Sequence, residues 1–320
     1  MNGQIQLVTG DVHTQNHNSF FKDVIGQEDA LRKLSFFIDT DDKDMLFPTM
    51  LFTGSHGLGK TYVARKVAEG MGRRFVEANC GMISKDEDLI EDILLGRVVG
   101  DTPVTLFFDE AHRLTTEVTT ILLTLLNPTK QMSNLIHYKG WEILFDMTKI
   151  HTILATTDAH RMASPLLDRC ESIYFESYSK DELIAMLSLY CPGVTLSCDL
   201  DDLSYACRGR GRDTFRLAQK IKRALKIDGK SELDDKVWKY LKDVFGIFPM
   251  GLNRQEVDLL RIVNDKEPIS CANLALTMML NTDNIESEIE VRPRELGLID
   301  STTRGRVLSQ KGKDYMRQIR

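Results

Sequence analysis

Residues 54–61 read Gly-Ser-His-Gly-Leu-Gly-Lys-Thr: one glycine, four further residues, then Gly59-Lys60-Thr61. Glycines at this spacing let a backbone wrap phosphate groups with its amides pointing inward. Gly54, Gly57, Leu58 and Gly59 would form such a cradle. Lys60 would neutralise the β- and γ-phosphates, and the Thr61 hydroxyl would ligate Mg2+. Further on, Val104-Thr105-Leu106-Phe107-Phe108 leads into Asp109-Glu110. Carboxylates are costly at the end of a core strand, so two of them there imply a task. Asp109 is placed to hold the Mg2+ shell, and Glu110 to orient and polarise an attacking water. A third apolar run ends in Thr156-Thr157, and Thr157 at such a strand tip can report on the γ-phosphate. The chemistry implied is ATP hydrolysis.

These groups need a sheet to hold them. The segments 49–53 (TMLFT), 74–79 (RFVEAN), 104–109 (VTLFFD) and 151–157 (HTILATT) are short apolar runs separated by helical patterns. Such alternation predicts an α/β domain, over 20–177, with a parallel sheet covered on both faces. Asp109-Glu110-Ala111-His112 also spells the box of a large helicase class. That class needs two sheet-bearing lobes, and the sheet-forming part here is too short for two. His112 has no evident chemical duty and reads as structural. Residues 178–247 are helical in pattern, opening at Ser179 as an N-cap with acids in the first turn. A third unit, 248–320, reads as helices over 253–264, 270–279 and 283–292. Leu298-Ile299 and Val307-Leu308 then flank a polar turn containing Gly305. That is the outline of a winged helix, with a small helical bundle and trailing tail as the alternative. Residues 1–19 read as a polar tail with one short strand candidate at Ile5–Val8.

Composition narrows the partners. Against 41 basic residues stand 47 acidic ones, a formal charge of −6, which excludes a uniformly basic nucleic-acid binder. A local basic run remains: Arg304, Arg306, Lys311, Lys313, Arg317 and Arg320 against Asp314 within 301–320. It is either a solvated face or a phosphate-contacting surface. No apolar run approaches the ~20 residues that span a bilayer, and the N-terminus lacks a basic segment followed by an apolar one. The six cysteines form no Cys-x-x-Cys pair. A reducing, cytoplasmic setting without membrane association is expected.

The order of motifs resembles the AAA+ ATPases and, among them, the RuvB family of Holliday-junction branch-migration motors. The matching pieces are VIGQ (24–27), GSHGLGKT (54–61), LFFDEAHRL (106–114), ATT (155–157), SPLLDR (164–169), TFRLA (214–218) and TTRGR (302–306). The resemblance implies an AAA+ domain, a helical lid and a C-terminal winged helix. It implies that Ile25 and Gly26 line the adenine pocket and that Arg216, on the lid, senses the nucleotide. It makes Arg169 an arginine finger reaching a neighbouring subunit's site, where it stabilises charge on the transferring phosphoryl. A hexameric ring around duplex DNA, acting at four-way junctions, is implied, with Arg304 and Arg306 contacting phosphates from the wing. Residues 134–150 resemble the hairpin by which that family docks its junction-binding partner RuvA. The sequence departs from the family at Leu167, where an arginine is usual. NSFFKD replaces an arginine-proline before the IGQ motif, and GSHG stands in place of GPPG. An alternative in another class is an ATP-switched initiator or clamp-loader-like loading factor, since some of these also join an AAA+ module to a winged helix.

Overall fold

A strand buried on both faces must be largely apolar, and three segments of this chain, 49–53, 104–109 and 150–156, meet that demand. The computed structural model describes residues 20–41, 46–100, 102–127 and 133–319. The expected tail over 1–19, with its Ile5–Val8 strand candidate, and Arg320 lie outside the described residues. The chain divides into two compact units, Met1–Tyr178 and Ser179–Arg320.

The first unit is built on a five-stranded parallel sheet. Its strands are β1 (Thr49–Thr53), β2 (Arg74–Asn79), β3 (Val104–Asp109), β6 (Ile150–Thr156) and β7 (Cys170–Tyr174). They lie in the order β2-β3-β6-β1-β7. Met50, Phe52, Phe107, Phe108, Ile153 and Leu154 are fully buried along it, each large side chain contributing about 1.5–3 kcal/mol. β1, β2 and β3 coincide with the expected segments. β6 begins and ends one residue earlier, so Thr157 stands just past the strand. Helix α1 (Glu28–Asp39) lies against β7, and α2 (Lys60–Gly70) against β2, β3 and β6. A wide, i→i+5 helix over Asp88–Val98 buries Leu89, Ile90, Ile93 and Leu94 in the core that also receives α3 (Thr116–Leu125). The short α4 (Ser164–Leu167) leads into β7.

The insertion between α3 and β6 is an antiparallel hairpin, β4 (Ser133–Tyr138) with β5 (Trp141–Asp146). Lys139 and Gly140 both have positive φ, 47° and 81°, as the tight turn of a twisted hairpin requires. Ile136, Tyr138 and Phe145 are buried under it, while the cross-strand partners Leu135 and Leu144 are exposed.

The second unit opens with α5 (Lys180–Tyr190). Ser179 and Glu182 cap it reciprocally, so the helix starts where the sequence places its N-cap. α6 (Leu200–Ala206), α7 (Gly211–Asp228) and α8 (Asp235–Phe245) follow, with a two-residue parallel pair, β8 (Thr195–Leu196) and β9 (Glu232–Leu233), beside them. Gly251 has φ 69°, and a Cβ there would meet the Tyr205 carbonyl oxygen at 2.1 Å. Only glycine lets the connecting turn lie this close to α6.

The remaining elements form the winged helix. α9 (Arg254–Lys266) and α10 (Cys271–Met278) are followed by α11 (Thr282–Asn284), which runs through a wide turn (Ile285–Ile289) into α12 (Val291–Glu295). The hairpin of β10 (Ile299–Thr302) and β11 (Gly305–Leu308) forms the wing, with Thr302 paired to Gly305. Instead of a trailing tail, 310–318 forms a helix, α13 (Gln310–Gln318), with Tyr315 and Met316 buried against α9. No helix among the described residues is long and apolar enough to cross a membrane.

Candidate active site

The strand order explains why distant motifs meet. β6 lies between β1 and β3, so the loop after β1, the acids at the end of β3 and the threonines at the end of β6 leave the sheet at adjacent carboxyl ends. Ligands of open parallel sheets bind at that edge.

The loop after β1 is wound by three left-handed glycines, Gly54 (φ 147°), Gly57 (φ 79°) and Gly59 (φ 92°). A Cβ on Gly54 would lie 2.5 Å from the Phe175 carbonyl oxygen, and one on Gly59 3.0 Å from the Tyr178 hydroxyl. Gly59 caps α2, whose first residue is Lys60 and second Thr61. Lys60 is 8 % exposed, and its ammonium donates to the carbonyls of Gly54 (2.5 Å) and Ser55 (2.9 Å). The charge is therefore held inside the curl of the loop, at the N-terminus of a helix that adds positive potential. Leu58 is buried, and its carbonyl accepts from the Tyr178 hydroxyl at 2.8 Å. This is a cradle that side chains would fill and glycines leave open. It fits the phosphates of a nucleotide.

Asp109 ends β3, and its Oδ1 accepts from the Glu110 amide at 3.0 Å. Glu110 itself adopts a left-handed conformation, φ 57° and ψ 45°, which costs energy for a residue with a Cβ. The turn lifts its carboxylate off the strand line, between two imidazoles. His56 Nδ1 lies 3.5 Å from Oε1, and His112 Nε2 lies 3.5 Å from Oε2. His112 Nδ1 is 3.0 Å from the Thr156 hydroxyl, which also accepts from the Asp158 amide at 2.9 Å. In the tautomer with the ring proton on Nε2, facing Glu110, His112 Nδ1 accepts from the Thr156 hydroxyl. His112 thus touches both Glu110 and Thr156. Thr156, one residue before the expected sensor Thr157, is the buried member of the pair, and Thr157 is half-buried beyond the strand.

Ile25 and Gly26 are half-buried in the turn before α1. Gln27, left-handed at φ 62°, fastens that turn to the sheet. Its side chain donates to the Glu176 carbonyl (2.7 Å) and accepts from the Glu176 amide (3.0 Å). Gln27 and Tyr178 therefore hold the loops around the cradle. Their partners lie 149 and 120 residues away in sequence, so no local pattern marks them.

Arg169 follows α4. Its Nη1 donates to the Pro165 carbonyl at 2.6 Å, while its buried Nε has no hydrogen-bond partner among the described residues. Arg216 lies on α7 of the second unit, exposed, 3.8 Å from Asp213.

The basic run in the winged helix is largely consumed by internal pairing. Arg306, expected to contact phosphate, is paired inside the winged helix. Its side chain is 14 % exposed, and its guanidinium meets the fully buried Glu290 at 3.1 Å and Glu286 at 2.6 Å. Two carboxylates already neutralise it, so it fastens the wing to the helical stretch 285–290. Lys313 pairs with Glu267 (2.9 Å), Arg317 with Asp314 (2.9 Å), and Lys311 donates to the Leu296 carbonyl (2.8 Å). Arg304, at the tip of the wing, is exposed.

Comparison with known proteins agrees with this arrangement. Residues 50–178 match the family described as ATPase family associated with various cellular activities (AAA), and residues 249–317 match the RuvB C-terminal winged helix domain. The Holliday junction branch migration complex subunit RuvB of Ehrlichia canis is 29 % identical over 308 residues, covering 92 % of this chain and 91 % of that protein. Its counterpart from the Wolbachia of Brugia malayi is 26 % identical over 303 residues, covering 92 % and 91 %. The structure of the Thermotoga maritima RuvB Holliday junction branch migration motor superposes with a TM-score of 0.77 at 20 % identity, over 93 % of this chain and 96 % of that one. An AAA ATPase domain and a RuvB-type winged helix in one chain, with RuvB relatives aligned over nine-tenths of it, make this an AAA+ ATPase similar along its length to the RuvB proteins.

Proposed function

We propose that the chain is a ring-forming ATP-driven motor that moves duplex DNA at four-way junctions, the activity named for its relatives. The observation that carries this reading is the joining of the Lys60/Asp109/Glu110 constellation to a RuvB-type winged helix in one chain. In this reading Gly54, Gly57, Leu58, Gly59 and Lys60 bind the triphosphate, and Ile25 and Gly26 flank the adenine. Thr61 and Asp109 hold Mg2+. Glu110 orients and polarises the attacking water, Thr157 reads the γ-phosphate, and Arg216 senses the nucleotide from the lid. Arg169 acts in a neighbouring subunit, most simply in a hexamer. The functional limits are 20–177 for the ATPase domain, 178–247 for the lid and 248–320 for the winged helix, and the protein works in the cytoplasm.

Arg304 supplies the phosphate contact from the wing, with Arg306 behind it as its support. The stretch 282–295 carries Asp283, Glu286, Glu288, Glu290 and Glu295 against Arg292 and Arg294, so it is a poor element to lay against DNA. Phosphate contacts of this kind position the protein without reading sequence. The hairpin β4–β5 is the docking element for a RuvA-like partner, and the exposed Leu135–Leu144 pair with Trp141, 74 % exposed, gives it an apolar surface.

The test is steady-state ATP hydrolysis against protein concentration, with and without a four-way DNA junction. The rate per subunit is expected to climb with concentration and again with junction DNA. A rate indifferent to both would overturn the ring-motor reading.

A further inference from the structure

The imidazole of His56 belongs to the phosphate loop but points at the hydrolytic carboxylate. It occupies the third position of the loop, between Ser55 and Gly57, and is 62 % exposed, so burial does not force it into that place. Its Nδ1 nonetheless stands 3.5 Å from Glu110 Oε1. Glu110 needs such a partner. It sits in a left-handed turn past the end of β3, where the sheet no longer fixes the direction of its side chain. His112 holds only one carboxylate oxygen, Oε2, from the side of the sensor strand. With that contact alone the carboxylate is free to swing about the Oε2 end.

We propose that His56 is a positioning residue for Glu110, fixing its second oxygen from the phosphate-loop side so that the carboxylate plane is set when the attacking water arrives. The two histidines bracket Glu110, one on the loop that binds the phosphates and one on the turn after β3. The base is thereby aligned to the same loop that aligns the γ-phosphate. Separations of 3.5 Å are loose for a hydrogen bond, and contacts of this type tighten when substrate completes the site. The inference rests on the assignment of ATP hydrolysis to this site.

The experiment compares full-length wild type, His56→Ala and His56→Asn for kcat and KM toward Mg-ATP, with affinity for a fluorescent ATP analogue measured separately. Asparagine is chosen because its side-chain amide nitrogen can stand where Nδ1 stands. His56→Ala is expected to lower kcat roughly ten- to a hundredfold, the scale of a misaligned reacting group, with KM and analogue affinity unchanged. His56→Asn is expected to recover most of that loss. A structural or phosphate-binding role would instead raise KM or weaken the analogue, and either result overturns the inference. So does an unchanged or increased kcat in His56→Ala, or an asparagine variant as slow as alanine. Absence of hydrolysis in the wild type would instead refute the ATPase assignment itself, so the two failures are distinguishable.

Discussion

Replacing Arg306 by alanine should damage the winged helix itself before it affects DNA binding. Glu290 has no solvent exposure, and Arg306 supplies bonds at 3.1 and 3.2 Å from Nε and Nη2. Its other cation, Arg294, is 2.9 Å away but 45 % exposed. Breaking a buried ion pair by removing one partner costs about 3–5 kcal/mol. Because Arg294 remains, the lower end, about 3 kcal/mol, is expected. At roughly 2–4 °C per kcal/mol for a unit of this size, thermal unfolding of the second unit should fall by about 6–12 °C. Arg304→Ala should leave that transition unmoved, because its side chain lies exposed at the wing tip. Arg304→Ala should instead lower duplex affinity similarly across sequences and reduce the salt slope of binding by about one. The assays are differential scanning calorimetry and duplex binding titrated between low and moderate salt. The double change Glu290→Leu with Arg306→Met removes both charges and should recover much of the lost stability. An Arg306→Ala chain with wild-type unfolding and a reduced salt slope would refute this account and return Arg306 to the DNA surface.

Glu110→Gln should bind ATP with near wild-type affinity while hydrolysis falls below about one-hundredth, as loss of a general base predicts; binding and turnover measured on the same preparation check this. Arg169→Ala should abolish hydrolysis but regain activity when mixed with a Lys60→Ala chain, which cannot hold nucleotide yet still offers Arg169; no rescue would count against action between subunits. Burial, reinforced by the nearby Arg73 cation, pushes the His151 imidazole down from 6.5 to about 3. The unfolded chain therefore takes up a proton that the folded chain refuses between those values, so stability is lost as pH falls below 6.5. The loss is about 2 kcal/mol by about pH 5. His151→Phe, which keeps the stack on Phe47 (centroids 4.0 Å apart), should remove that part of the pH dependence in urea unfolding compared at about pH 7.5 and about pH 5. An unchanged dependence would refute the assignment.

The geometry of the candidate site was legible wherever a backbone conformation or a strand end dictates residue type. Glycines at 54, 57 and 59 are required by left-handed turns, and the acids at 109 and 110 stand out against an apolar strand. Burial of α13 was not legible, because 301–320 looks like a solvated basic tail until Tyr315 and Met316 find the core of the winged helix. The fate of Arg306 was hidden for a related reason. A cation near a turn reads as surface unless the carboxylate it meets, here sixteen residues earlier, is known to be buried. The two contacts of His112 were hidden as well, one to Glu110 and one to a threonine forty-four residues on. Local periodicity carries no information about such pairs.

The chain of contacts through His112 has a further consequence. The Asp158 amide donates to Thr156, Thr156 meets His112, and His112 faces Glu110. Asp158 also begins the short segment through α4 that ends at Arg169. The end of β6 is therefore common to the base of one site and to the arginine assigned to the next. Thr156→Val keeps the shape of the strand but removes the hydroxyl. It leaves the Asp158 amide and His112 Nδ1 without their partner, a cost of about 1–3 kcal/mol for each buried group left unsatisfied. If the chain of contacts orients Glu110, kcat should fall with ATP affinity preserved. If it also sets Arg169, a subunit carrying Thr156→Val together with Lys60→Ala should rescue less hydrolysis in an Arg169→Ala ring than Lys60→Ala alone does. Full rescue together with a lowered kcat would confine the effect of Thr156 to its own site. Unchanged kcat would show that His112 holds Glu110 without help from the sensor strand.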